Sequence, residues 1–188
     1  MKNYLKILRS NMHCFLFLVL AFNVNANENI SRKIISTKEI FSMVEKINST
    51  ASYFTDEFKS KFMDEEVRRG RLLYSSCVTD FMREALIKGS LSKKNFDPDK
   101  TQKICIEKIS VLLKEKNLKT DKTVFYNIAD SGKWSSLVVS LNYRKCTTDK
   151  IKEEKCSCMI DQYRRKYKEE FLKEFKTLEM EFAAECKK

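Results

Sequence analysis

The sequence is poor in the residues that interrupt helices. It contains one proline, Pro98, and three isolated glycines, Gly70, Gly89 and Gly132, among 188 residues. Both residue types destabilise the interior of a helix, so their scarcity favours a mainly helical chain. The glycines are also too far apart to form a phosphate-binding loop. Histidine is almost absent as well, since His13 is the only one.

The first 26 residues have the pattern of a secretory signal peptide. Three basic side chains and no acidic one precede an apolar run over residues 14–22, and the segment ends at the small residue Ala26. The run is shorter than the about 20 apolar residues that cross a membrane. We therefore expect cleavage after Ala26, export to the periplasm or the medium, and no transmembrane segment in the mature chain.

Cleavage changes the chemistry that is available to the chain. The mature protein, residues 27–188, has no histidine, and its formal net charge falls from +11 to +8 because the signal holds three bases. Without histidine, Ser–His and Cys–His nucleophiles and histidine metal sites are excluded. We predict a single helical domain with no catalytic residue, no cofactor and no metal.

Helix-capping signals divide the mature chain into segments. The sequence Ser36-Thr37-Lys38-Glu39 predicts a capping box and a helix over residues 37–48. A longer helix should end at Lys88, where Gly89 suits the C-terminal cap. Asp97-Pro98 predicts the start of another helix. The predicted fold class is all-α, a bundle of helices or helical hairpins held by disulfides.

Two segments fit more than one structure. The segment between positions 123 and 141 fits a small β-hairpin with strands at 124–128 and 137–141, but its residues Trp134, Leu137, Val138 and Leu141 also match one helical face. We prefer the helix. The segment 149–187 lacks glycine and proline and carries an almost continuous apolar stripe, which predicts one long helix.

Six cysteines remain after cleavage, and in an exported chain they indicate structural disulfides. They are Cys77, Cys105, Cys146, Cys156, Cys158 and Cys186. Six cysteines allow 15 pairings. One pattern narrows the choice, because residues 77–83 and 158–164 both have Cys, apolar, any, Asp, any, large apolar, Arg, and in both the next cysteine follows 28 positions later.

This pattern suggests an internal repeat, with residues 77–105 and 158–186 as two disulfide-closed helical hairpins. Cys146 would then pair with Cys156 by elimination. The hypothesis conflicts with one long C-terminal helix, since 28 helical residues span about 42 Å. Cα atoms of a disulfide lie within about 7 Å of each other. Either the helix breaks near residues 167–174, or Cys186 bonds elsewhere. We prefer the break.

The positive charge falls into two clusters that are candidate contacts for an anionic partner. The candidate residues are Arg68, Arg69 and Arg71 in the first cluster, and Arg164, Arg165, Lys166 and Lys168 in the second. We expect a small exported binding protein whose partner is a protein or an anionic surface, such as lipid headgroups or envelope polysaccharide. Nucleic acid is a poor partner for an exported chain.

Two other functions remain open. A histidine-free hydrolase would use carboxylates, with Asp80 and Glu84, or Asp161, as the candidates. The simpler interpretation places these acids on solvated helix faces, where they pair with Arg and Lys four residues away. A cationic protein that binds membranes or polysaccharide is the third hypothesis.

Overall fold

The computed structural model describes residues 35–51, 64–92, 94–114, 134–167, 180–182 and 184–187. These residues form five long helices and no strand. The helices are α1 (Thr37–Thr50), α2 (Asp64–Ile87), α3 (Pro98–Lys114), α4 (Ser136–Thr148) and α5 (Glu153–Lys166). Residues 180–182 add a further helical turn. Together with three disulfides, this confirms the predicted all-α, disulfide-stapled fold.

The predicted capping signals mark the observed helix ends. At the start of α1, the Ser36 hydroxyl accepts from the backbone N–H of Glu39, whose carboxylate accepts from the Ser36 N–H at 2.8 Å. Helix α2 ends at Ile87, and Gly89 after it has a φ of 116°, a left-handed conformation that suits glycine because it lacks a Cβ atom. At the start of α3, the Asp97 side chain accepts from the N–H of Lys100 at 3.0 Å.

The β-hairpin alternative is wrong, because residues 137–141 are helical. Ser135 starts α4 by accepting a hydrogen bond from the N–H of Val138. Residues 137–140 are all buried, so this part of the helix is enclosed on every side and lacks a clear apolar face. That burial explains why the periodicity was ambiguous. The other predicted strand, residues 124–128, lies outside the described residues.

Of the two alternatives for residues 149–187, the structure has the preferred break and not one continuous helix. Helix α5 ends at Lys166, and Tyr167 is extended, with φ −113° and ψ 128°. The indole N–H of Trp134 donates to the Tyr167 carbonyl at 3.1 Å, which occupies that carbonyl outside the helical ladder. The break lies within residues 167–174, where a disulfide between Cys158 and Cys186 requires the helix to be interrupted.

Three disulfides connect the helices. Cys77–Cys105 joins α2 to α3, Cys146–Cys156 joins α4 to α5, and Cys158–Cys186 joins α5 to the C-terminal segment. The paired Cα atoms are 5.9, 5.9 and 5.7 Å apart. These are the three pairs that the repeat hypothesis requires.

The core forms where α1 and α4 pack against each other and against α2 and α5. Its fully buried side chains include Ile40, Tyr74, Val139 and Ile160. Each such side chain contributes about 1.5–3 kcal/mol relative to an exposed one. Among the described residues, no helix has the length and apolar character of a membrane span.

Candidate functional site

The acidic residue of the first cysteine motif lies in a buried cluster, which we call clasp 1: Asp80 and Arg83 of α2 with Trp134 and Ser136 at the start of α4. The Asp80 Oδ1 atom accepts from the backbone N–H of Ser136 at 2.9 Å and from its hydroxyl at 2.6 Å. The Arg83 Nη1 atom lies 3.0 Å from Asp80 Oδ1 and 2.8 Å from the Trp134 carbonyl. Helix α2 therefore holds the N-terminus of α4.

The second motif builds the same cluster from other helices. Clasp 2 consists of Asp161 and Arg164 of α5 with Ile35 and Thr37 at the start of α1. The Asp161 Oδ1 atom accepts from the Thr37 N–H at 2.8 Å and from its hydroxyl at 2.7 Å. The Arg164 Nη1 atom lies 3.0 Å from Asp161 Oδ1 and 3.2 Å from the Ile35 carbonyl. Helix α5 thus holds the N-terminus of α1.

Both clasps use the chemistry of a helix start. The first N–H groups of a helix have no partner within the helix, and the helix dipole places partial positive charge there. In each clasp, a carboxylate from another helix accepts the N–H of the first helical residue, while the preceding serine, Ser36 or Ser135, caps a later one. The arginine neutralises the buried carboxylate and satisfies a backbone carbonyl.

Burial controls the electrostatics of the clasps. Removal from water raises the pKa of Asp80 above its ordinary value, against the opposing effects of Arg83 and the Ser136 donors. Burial lowers the pKa of Arg164 to about 10, and the positive charge of Arg83 acts in the same direction. The two clasps are linked by an aromatic contact, since the ring centroid of Trp134 in clasp 1 lies 5.1 Å from that of Tyr163, the residue before Arg164.

The simpler interpretation placed the hydrolase candidates Asp80 and Asp161 on solvated helix faces. The structure instead places both in the clasps. Each has one carboxylate oxygen that accepts from three donors, and each pairs with an arginine three residues later. In each acid, three donors of the protein itself converge on this one oxygen, at the start of another helix. The geometry therefore supports a structural role, which is to fix one helix start against another helix.

The predicted basic clusters are only partly exposed. In the first, Arg68 is exposed, Arg69 pairs with Glu65 at 3.4 Å, and the Nε atom of Arg71 donates to Asn48 at 3.2 Å. The first cluster is therefore partly exposed and could contact a partner at the surface.

The second basic cluster departs from the prediction. The Arg164 side chain is only 7% exposed and belongs to clasp 2, so it is not part of a surface patch. Arg165 is exposed, whereas Lys166 pairs with Glu181 at 2.7 Å and lies over the rings of Tyr167 and Phe182. Lys168 lies outside the described residues.

Sequence reasoning missed the partners of the two carboxylates. Thr37 and Ser136 are fully buried and lie 124 and 56 positions from the acids that they bind. One signal of the shared helix start was available in the sequence. An apolar residue followed by two hydroxyl residues leads into both helices, as Ile35-Ser36-Thr37 and Trp134-Ser135-Ser136.

Within the described ranges, no group of three or more potential ligands is arranged to hold a metal ion. Comparison with known proteins found no matching family model, no matching curated protein and no matching solved structure. Function must therefore be argued from the chain's own geometry.

Proposed function

We propose that this chain is an exported binding protein that acts through its surface and not through catalysis. Support for export comes from the predicted signal peptide and from the three disulfides, which are typical of oxidising compartments. Residues 1–34 lie outside the described part of the structure, so cleavage after Ala26 remains a prediction.

The observation that carries the proposal is the use of both candidate acids, Asp80 and Asp161, in the clasps. Both acids are thereby committed to holding helices together. Three disulfides act in the same way. A scaffold fixed at so many points has little conformational entropy left to lose on association, which favours tight binding by a preformed surface.

We favour a protein partner over an anionic surface such as lipid headgroups or polysaccharide. Exposed apolar side chains occur on α2, α4 and elsewhere, namely Ile87, Val111, Leu141 and Met180. Several basic side chains of the predicted clusters, by contrast, already pair with acids or lie buried. Isolated apolar side chains are common on any surface, so they serve here as positions for probes and do not define a patch.

Photo-crosslinking in intact host cells tests the proposal. A photoreactive residue is placed in the full-length chain at each of the four exposed apolar positions in turn. We expect one discrete adduct at one or two positions, with the remaining positions as matched controls for random contact. The absence of a discrete adduct at all four positions would contradict the proposal. In the same samples, the mature mass and six alkylation-resistant cysteines would verify export.

The cationic alternative predicts a different result. It requires retention on anionic vesicles that is lost at high salt, because surface charges are screened. Arg68→Glu and Arg165→Glu should then abolish retention, since both side chains are exposed. Retention that is unchanged by salt, or by both substitutions, would exclude this function.

The hydrolase alternative has its own test. It requires an activity that Asp161→Asn abolishes while the unfolding temperature stays unchanged. The contacts of Asp161 predict the opposite, which is a loss of stability whether or not any activity is present.

A further inference from the structure

We infer that the chain consists of two equivalent helical units related by a pseudo-twofold axis, and that each unit fastens the first helix of the other. Unit 1 comprises α1, α2 and α3. Unit 2 comprises α4, α5 and the C-terminal segment that includes residues 180–187. The arrangement is that of a twofold-symmetric dimer whose two subunits have become one chain.

The clasps supply the first argument. Both clasps bring together the same four groups in the same way. These are the carboxylate, the guanidinium, the hydroxyl of the first helical residue and the carbonyl two residues before it. Clasp 1 joins the second helix of unit 1 to the first helix of unit 2, and clasp 2 joins the second helix of unit 2 to the first helix of unit 1. This reciprocity is the property of a twofold-related interface.

The numbering supplies the second argument. First helices correspond by a shift of 99 residues, which matches Ser36 to Ser135 and Thr37 to Ser136. Second helices and their disulfides correspond by a shift of 81 residues, which matches Cys77–Cys105 to Cys158–Cys186. Each shift is constant along the matched first and second helices. The difference of 18 residues arises between them, partly in a longer connection in unit 1 and partly because α2 begins at Asp64, eight residues before the position that matches the start of α5.

Burial follows the same correspondence. Ile40 and Val139 are matched positions, and both have no exposed surface. On the second helices, Val78 and Met159 are matched and are likewise fully buried. The equivalence therefore extends from the clasps into the core.

A contact between matched residues supplies the third argument. Glu45 of α1 and Arg144 of α4 correspond by the shift of 99, and they form an ion pair with an N–O distance of 2.6 Å. A residue meets its own equivalent only next to a twofold axis. In two identical units this position would carry like charges, and the two units have opposite ones.

The inference predicts a disulfide that the natural chain lacks. In unit 2, Cys146–Cys156 joins the first helix to the second. The matched positions in unit 1 are Ile47 and Ser75, which are both buried. If the units are equivalent, the Cα atoms of Ile47 and Ser75 have the separation that a disulfide needs.

The experiment introduces Ile47→Cys and Ser75→Cys together into the full-length chain. We expect a fourth disulfide, detected as the loss of two hydrogen atoms in the intact mass and as a linked peptide, with a higher unfolding temperature. The control pair is Ile47→Cys with Ser76→Cys. Its second cysteine lies one position further along α2 and faces another direction, so both thiols should remain free. Free thiols in the first variant with the native disulfides intact, or equal bonding in the control, would overturn the inference.

An exchange of clasp parts provides a second readout if the cysteine variant does not fold. Thr37→Ser combined with Ser136→Thr gives each unit the hydroxyl residue of the other. We expect an unfolding midpoint close to that of the natural chain, and a clear loss for Thr37→Val combined with Ser136→Ala. Equal losses in the two double variants would show that the clasps are not interchangeable.

Discussion

Clasp 1 and clasp 2 have the same polar atoms in different surroundings. The Asp80 side chain of clasp 1 is 9% exposed, whereas that of Asp161 in clasp 2 is 16% exposed. Asp161 also receives a hydrogen bond from Ser157 at 3.5 Å on its second oxygen. The comparison shows that the polar contacts are shared while the degree of desolvation differs, so the two clasps should differ in energy.

The connections inside the two units differ as well. In unit 2, a disulfide joins the first helix to the second. In unit 1, the corresponding helices have the hydrogen bond from Arg71 to Asn48 and the buried side chains Ile47 and Ser75. Since both units nevertheless form their clasp, the disulfide supports the arrangement without being a condition for it.

Removal of a clasp carboxylate should have the largest effect. Asp80→Ala leaves Arg83 buried without its counter-charge and should lower the free energy of unfolding by about 3–5 kcal/mol. Asp161→Ala should cost less, because water reaches Asp161 more readily. Denaturant unfolding measures both, with the exposed Glu107→Ala on α3 as a control that changes stability by less than about 0.5 kcal/mol. Equal losses would show that burial does not distinguish the clasps.

Removal of a disulfide should come next. Cys77–Cys105 closes a separation of 28 residues and Cys146–Cys156 one of 10 residues. Loop-closure entropy then predicts a loss of about 3.6 kcal/mol for the first pair and about 2.7 kcal/mol for the second when both partners become alanine. All four cysteines are buried, so the packing losses are matched. A greater loss for the shorter loop would show that strain or packing dominates the comparison.

Helix starts were predictable from the sequence because their signals are local. The capping box at Ser36 and the Asp97-Pro98 pair each act within four residues, and both mark observed helix ends. The disulfide pattern was visible because two spacings of 28 residues repeat. The end of α5 was harder to place, since no glycine or proline marks it and a tertiary hydrogen bond to Tyr167 occupies the carbonyl there.

The clasps could not be derived because their partners are distant in the sequence. The acid and the arginine were visible in the repeated motif, but nothing local distinguishes a buried Asp80 from a solvated one. Only the packing of α2 on α4 brings Ser136 to it. For the same reason Arg164 was assigned to a surface cluster, since its three charged neighbours in sequence suggested that it is exposed.

Loss of a clasp hydroxyl should have a smaller effect than loss of the acid. Ser136→Ala and Thr37→Val each remove one hydrogen bond to a buried carboxylate but keep the backbone N–H bond. A loss of about 1–2 kcal/mol is expected for each, and Ser136→Ala should be the more costly because Asp80, the acid that it binds, is less exposed than Asp161. Thermal unfolding measures both, with the exposed Ser42→Ala on α1 as the control. A reversed order would contradict the ranking by burial.

The ion pair at the proposed axis should contribute least. Glu45 and Arg144 are 38% and 49% exposed, so a double-mutant cycle with alanine should give a coupling of about 0.2–1 kcal/mol that weakens with added salt. Glu45→Arg alone should destabilise the chain, because it creates the like-charge contact of two identical units. Adding Arg144→Glu should restore the coupling with its direction reversed, since the positions are equivalent about the axis. A reversed pair without measurable coupling would show that the two positions are not equivalent, and the twofold relation between the units would then lose its third argument.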